Sequence, residues 1–252
     1  MHYSTQMTIT QNTWNNSFSY TQRKEHLWKA EITIPSLIKG TLEDVTIGDH
    51  IVFEEIDHKG NLRQCQGLQK LVHIPALNSK FTAPIYIIDN HNHALYFRYK
   101  ETYGKNLDII HIDQHSDLAE APSWTIPPFE KGDKGGFEEH LNDIRHYTNY
   151  VCNVGNFIKP FLSLHPKSNF TRIKSESQLL NLNTSKLLSP NSEFILDIDL
   201  DFRDPNMSIE NKKETIEKTK QLMKHASLIT IATSPYFLDQ THALKLLNKL
   251  FQ

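Results

Sequence analysis

The chain is poor in several of the features that usually point to a function. Its 252 residues include only two cysteines, Cys65 and Cys152, which form no C-x-x-C pair. That is too few for a disulfide framework, and the lack of thiolates argues against a structural zinc site. Lys and Arg number 27 against 29 Asp and Glu, a formal net charge of −2. Such balance leaves no electrostatic footprint for nucleic acid or an anionic membrane. No apolar run approaches the roughly 18 to 20 residues that span a bilayer. The opening MHYSTQMTITQNTWNNSFSY is polar and lacks the apolar core of a signal peptide. Internal repeats and low-complexity tracts are also missing. The expectation is a soluble, cytoplasmic protein with neither nucleic acid nor membrane as partner.

Histidine is plentiful by contrast. There are 14, and His91, His93, His111 and His115 fall within 25 residues, the one compositional sign of metal or acid–base chemistry.

The length suits one domain, or one domain with an appendage. The first 30 residues are rich in Asn, Gln, Thr and Ser and show no clear period. Between 42 and 75, HIVFEEI and LRQCQGLQKLV flank the polar turn DHKGN, which predicts a β-hairpin. From residue 85 short apolar strands alternate with helical segments. IYII (85–88), LDIIHI (107–112), FILDIDL (194–200) and LITIA (228–232) read as strands. HALYFRYKETYG reads as a helix stopped by Gly104. SIENKKETIEKTKQLMKHA reads as another, with Ser208 as N-cap, Glu210 in the first turn and Lys220 and Lys224 near the end. The last helix places Ala243, Leu246, Leu247 and Leu250 on one face. This alternation predicts an α/β fold, a parallel sheet with helices packed on its faces. APSWTIPPFEKGDKGG, within the less regular span 118–192, reads as a long loop of the kind that often carries function.

Three of these strands end in residues able to hold a metal. The first runs into Asp89, His91 and His93, the second into Asp113, His115 and Asp117, and the third carries Asp197, Asp199 and Asp201. Alternate residues of an extended segment point the same way, so each set can converge on one point. Ligands of an open parallel sheet bind beyond the carboxyl ends of its strands, where these residues fall. Carboxylates this dense repel one another unless a cation intervenes. Oxygen and imidazole donors suit manganese, zinc or iron, and the number of donors is about right for two ions. Taken singly, D-x-H-x-D is as readily a solvated turn, and His91 and His93 alone read as surface or capping histidines. At successive strand ends the three clusters resist that explanation.

At these residues the sequence resembles the ureohydrolase superfamily of arginase and agmatinase. His93 with HAL, then Asp113, His115 and Asp117 in DQHSD, then Asp197 and Asp199 in DID, match the family's ligand motifs in order and type. Asp204 and Pro205 resemble its later Asp-Pro. The match organises the chain from about 82 to 252 and leaves the first 80 residues without a counterpart. Departures are visible. IDNHNH replaces the family's Gly-Gly-Asp-His, leaving His91 in contention with His93. The spacing from Asp199 to Asp204 is longer, with Asp201 added, and neither a second histidine nor a guanidinium-holding glutamate is matched. DIDLDF and TSPYF (233–237) are most similar to the compact, divergent branch that includes peptide arginases.

The resemblance implies a three-layer arginase/deacetylase-like core over 82–252, preceded by an N-terminal extension, 1–81, that contains the hairpin. It implies two Mn2+ held by His93, Asp113, His115, Asp117, Asp197 and Asp199. A metal-bridging hydroxide would attack a guanidinium carbon of an arginine-containing peptide, leaving ornithine and urea. Asp117 or Asp201 would relay a proton, and His140 or His146 would supply one to the leaving amine. Asp201, Asp204 and Asp239 are the candidates to hold the substrate cation, although Asp239 reads equally well as the N-cap of the last helix. The hairpin and the loop at 118–137 could open the site to a peptide, the hairpin either pairing with its backbone or merely covering a sheet edge. The family often forms homo-oligomers, but no interface is visible in this sequence.

Rival readings are a hydrolase of a small guanidino compound and a single-zinc deacetylase using Asp113, His115 and one of Asp197 and Asp199. A dinuclear phosphoesterase would fit DNH (89–91) but lacks that class's Gly-Asp and Gly-Asn-His blocks. A metal-stabilised peptide-binding module without turnover is the non-enzyme alternative.

Overall fold

The structure is a computed structural model that describes residues 3–10, 31–57, 59–75, 81–120, 136–185, 187, 193–203 and 212–252. Its strands are β1 (Met7–Ile9), β2 (Ile32–Ile34), β3 (Leu37–Lys39), β4 (Ile47–Ile56), β5 (Leu62–Leu68), β6 (Leu71–Ile74), β7 (Ile85–Ile88), β8 (Asp108–Ile112), β9 (Phe170–Ile173), β10 (Phe194–Asp199) and β11 (Leu228–Ala232). The α-helices are α1 (His93–Thr102), α2 (Phe137–Tyr150), α3 (Ile158–Leu164), α4 (Glu176–Leu180), α5 (Lys212–Met223) and α6 (Gln240–Phe251).

Seven strands form the central sheet in the order β3-β6-β7-β11-β10-β8-β9. The five from β7 to β9 run parallel, while β6 pairs antiparallel with β7 and carries β3 alongside. The expected α/β class with a mostly parallel sheet is therefore present. The four strands read from the sequence form its middle, where both faces are covered and near-continuous apolar runs are needed.

Helices cover both faces. On one, Ile110, Ile112, Leu196, Ile198, Ile229 and Ile231 meet Leu222 and Met223 of α5 and Leu246, Leu247 and Leu250 of α6. On the other, Ile109, Ile195, Leu228, Tyr86 and Ile88 meet Leu95 and Phe97 of α1, Ile144 of α2 and Phe161 of α3. Full burial of each such aliphatic side chain contributes about 1.5–3 kcal/mol.

The segment expected to be an extension is built into this sheet, since β3 and β6 form its antiparallel edge. The expected hairpin is β4 and β5, a separate two-stranded sheet. Its turn is closed by Asp57 Oδ1, which accepts from the backbone of Lys59 and Asn61 at 2.8 Å each. The hairpin lies against the loop that follows β7: Asn90 Nδ2 donates to the Val52 carbonyl at 2.8 Å. A Cβ on Gly67 would fall 2.8 Å from Asp89 Oδ2, so only glycine permits this approach. The expected long loop falls largely outside the described residues, as do Ser208 and Glu210; the helix assigned to them is described from Lys212 to Met223.

Candidate metal centre

The carboxyl ends of β7, β8, β10 and β11 converge on one buried group of side chains. Asp89 to Asn92 link β7 to α1, and Asp113 to Asp117 leave β8. Asp197 and Asp199 lie on β10 itself, Asp201 falls in the 3-10 turn Leu200–Arg203, and Ser234 follows β11. His91, His111, Asp113 and Asp117 each present an atom within 4.8 Å of the others, and Asp113, His115 and Asp201 form a second such group. Those seven memberships, with Asp113 shared, describe two adjacent sites able to hold a metal ion.

Geometry within the first group suits a cation better than hydrogen bonding. His91 Nδ1 faces Asp113 Oδ2 at 3.4 Å, Asp117 Oδ2 at 3.4 Å and Asp199 Oδ2 at 3.1 Å. One nitrogen carries at most one proton and cannot satisfy three carboxylates. Ligand atoms around a six-coordinate ion with bonds of about 2.1 Å lie about 3 Å apart, the spacing seen here. His111 Nε2 faces Asp113 Oδ2 at 3.3 Å and Asp117 Oδ2 at 3.7 Å. His91 Nδ1, His111 Nε2, Asp113 Oδ2, Asp117 Oδ2 and both Asp201 oxygens are buried without a hydrogen-bond partner. Buried polar atoms are nearly always satisfied, so a concentration of orphans at one point marks a place able to hold a bound group. The donors are oxygen and imidazole, and the residues fit a divalent metal of the manganese or zinc type.

The second group is nearer solvent. His115 Nδ1 lies 3.4 Å from Asp113 Oδ1 and 3.2 Å from Asp201 Oδ2, with its side chain 47% exposed. Its ring packs on Phe237 at 4.7 Å. Asp199 touches both groups: its Oδ1 accepts from the Asp201 amide at 3.0 Å, and its Oδ2 accepts from Ser234 Oγ at 2.6 Å. Of the three non-glycine residues with left-handed backbone among those described, Asp117 at φ 52° and Ser234 at φ 46° sit at this centre. Local strain of that kind clusters where side chains must be aimed.

Charge crowding shows in the titration of these groups. Burial and the neighbouring Asp113 push the Asp117 carboxyl well above its ordinary range. Burial and Asp199 raise Asp201 to about 7. Contacts with the Asp113 and Asp201 carboxylates raise His115 to about 10. Burial alone would depress His111, but its contacts with Asp113 and Asp197 carry it to about 9. Burial opposes ionisation of Asp113 as well, yet His111, His115 and His91 hold it far below the carboxylate range. Protons here stand in for cationic charge, and a metal would displace them.

A cavity of about 510 Å3 opens onto the centre. His115, Asp117 and Asp199 lie on its floor, with Leu118, Val154, Arg172 and Phe237 among its walls. Phe237 and Val154 in turn pack with Val52, Phe53 and Cys65 of the hairpin, which thereby backs one wall.

Of the ligands implied by the resemblance, Asp113, His115, Asp117 and Asp199 are brought together. His93 is not: its Nδ1 meets Tyr3 Oη at 3.0 Å and its Nε2 meets Asp89 Oδ1 at 3.4 Å. His91 takes the place among the aspartates. The reason is local, because His93 is already the first residue of α1, where the two-residue alternation ends. Asp197 is adjacent but is enclosed by protein partners, whereas Asp201 joins the second group. His146 lies exposed on α2, stacked on Tyr150 at 4.6 Å, and His140 is buried on α2 beside Tyr103; neither lines the cavity. Asp239 caps α6, accepting from the His242 amide at 2.9 Å. Asp204 lies outside the described residues. Sequence reasoning counted His111 in the histidine cluster without giving it a ligand role, and passed over Arg98, Thr230 and Ser234. For His111 the signal was available, since it extends the alternation of Asp113, His115 and Asp117 by one step.

Comparison with family models, with curated proteins and with solved structures returns no match. No helix among the described residues is long and apolar enough to cross a membrane.

Proposed function

We propose that this protein is a metal-dependent hydrolase of guanidino groups, acting as a peptide arginase that converts arginine side chains of a peptide to ornithine and urea. The observation that carries the reading is the set of orphaned buried nitrogen and oxygen atoms at the carboxyl ends of parallel strands, on the floor of an open cavity. His91, His111, Asp113 and Asp117 would hold one ion, and Asp113, His115 and Asp201 a second, with Asp199 reaching both. Two Mn2+ there would supply a water acidic enough to ionise near neutral pH.

Two divalent ions would bring the centre close to electrical balance. Asp113, Asp117, Asp197, Asp199 and Asp201 bring five carboxylates, which Arg98 and two divalent ions just offset. The chain's own residues then have separable tasks. Asp117 and Asp199 line the cavity in which the planar cation would sit. Phe237, Val154 and Leu118 would exclude water around its aliphatic stem, and the cavity size suits a side chain delivered by a larger molecule.

Mass spectrometry of products tests this. Manganese-loaded protein is incubated with arginine-containing peptides, free arginine, agmatine and acetyl-lysine, beside an Asp199→Asn control. Ornithine formed within peptides, with free arginine untouched and the control inactive, is the expected result. Turnover of acetyl-lysine, or of none of the four with metal bound, would overturn the reading.

A further inference from the structure

We infer that Asp197 is a positioning residue rather than a metal ligand, a clamp that aims two imidazoles and recruits His111 into the metal-binding group. The inference rests on the metal-dependent reading above. A carboxylate offers about four lone-pair positions. On Asp197 all four are taken by protein. Oδ1 receives the Arg98 guanidinium and, at 2.5 Å, the Thr230 hydroxyl. Oδ2 meets His111 Nδ1 at 2.5 Å and His91 Nε2 at 3.0 Å. Nothing is left to bind an ion, in contrast to the orphaned oxygens of Asp113, Asp117 and Asp201.

The same contacts settle which nitrogens face the centre. Each imidazole gives one nitrogen to Asp197, so the other, Nδ1 of His91 and Nε2 of His111, is the one turned to Asp113 and Asp117. Carboxylates that orient ligand histidines from behind are a recurrent device of metal sites. Here a single carboxylate serves two rings.

The fold supplies this arrangement through register. His111 on β8, Asp197 on β10 and Thr230 on β11 are direct cross-strand partners, which puts their side chains on one face. Arg98 reaches that row from α1 and is fully buried, its guanidinium lying 5.2 Å from the Phe157 ring and 6.0 Å from Phe161. A buried ion pair seldom adds net stability over apolar packing. Orientation of the histidines gives this one a purpose.

The test uses the full chain as wild type, Asp197→Asn, Asp199→Asn, His111→Gln and an Asp197→Asn/Arg98→Gln double variant. Bound manganese per chain and its affinity are measured, together with the visible absorption of the cobalt(II)-loaded forms. Asp197→Asn is expected to keep the wild-type metal count at saturation, to bind about 10–100-fold more weakly, and to shift the cobalt bands. Asp199→Asn is expected to fall short of the wild-type count, and His111→Gln to alter the cobalt spectrum. If Asp197→Asn does not fold, the double variant, which removes both buried charges, is held to the same criteria. A count lowered by Asp197→Asn as by Asp199→Asn would make Asp197 a ligand and overturn the inference. Unchanged affinity and spectrum would make its role purely structural, and an unchanged spectrum in His111→Gln would remove His111 from the group. Loss confined to these outcomes leaves the metal reading standing, whereas wild type that binds no metal sinks both.

Discussion

The two faces of the central sheet are built from the same strands but carry different chemistry. Toward α5 and α6, Ile110, Leu196, Ile198, Ile229 and Ile231 form an apolar surface. Toward α1, α2 and α3, the intervening positions place His111, Asp197, Thr230 and Tyr86 in one cross-strand row. Beyond that row the same face runs into Asp113, Asp117 and Asp199. One face is apolar throughout, whereas the other is apolar at Ile109, Ile195 and Leu228 and turns polar toward the candidate centre. The two-residue alternation of a strand lets five parallel strands do both at once. A substitution on the apolar face should then damage stability alone, whereas one at the polar positions of the other face should damage metal binding.

Asp113→Asn is expected to do most harm on the polar face, since Asp113 belongs to both ligand groups. It should abolish bound metal and turnover while leaving the circular dichroism spectrum native; metal content and product assays on the folded variant decide this. On the opposite face, Ile198→Ala should cost about 2–5 kcal/mol in chemical denaturation. Its metal content per folded chain should equal that of wild type, and a loss of metal there would break the division between faces.

Proton occupancy sharpens the same contrast. Asp201, His111 and His115 hold protons up to about 7, 9 and 10, above their ordinary values. The metal-free folded state thus binds more protons than the unfolded chain across that window, and its stability falls as pH rises through it. Metal must displace these protons, so the rise in thermal midpoint on adding manganese should grow between pH 6 and 9. Thermal denaturation with and without manganese tests both trends; a gain that shrinks with pH would contradict them. The smallest effect expected is that of Asp239→Ala. Loss of a helix N-cap costs about 1 kcal/mol. Turnover should not change, which separates the cap from any part in holding the substrate cation.

Much of the α/β class was legible because the middle strands must be apolar on both faces, as IYII, FIL and LITIA are. The edges were less so. β9, β3 and β6 span only three or four residues each, too few to show a period, and β9 lies between segments that read as irregular. At the centre, the D-x-H-x-D and D-x-D-x-D spacings marked the right loops, since alternation survives the end of a strand. Alternation could not choose between His91 and His93, because α1 begins at His93 and the period changes there. Nor could it separate Asp197 from Asp201. That difference comes from Arg98, a helix residue 99 positions away from Asp197 along the chain and joined to it only by folding. Tyr3 and the hairpin meet the site through contacts of the same long-range kind.

The orphaned atoms are expected to surround a metal centre. Anomalous scattering at the manganese edge, from crystals grown with manganese, tests it most directly. Anomalous density is expected between His91 Nδ1, His111 Nε2, Asp113 and Asp117, with a second peak beside His115 and Asp201. Absence of density there at saturating manganese, or density only elsewhere on the chain, would contradict it.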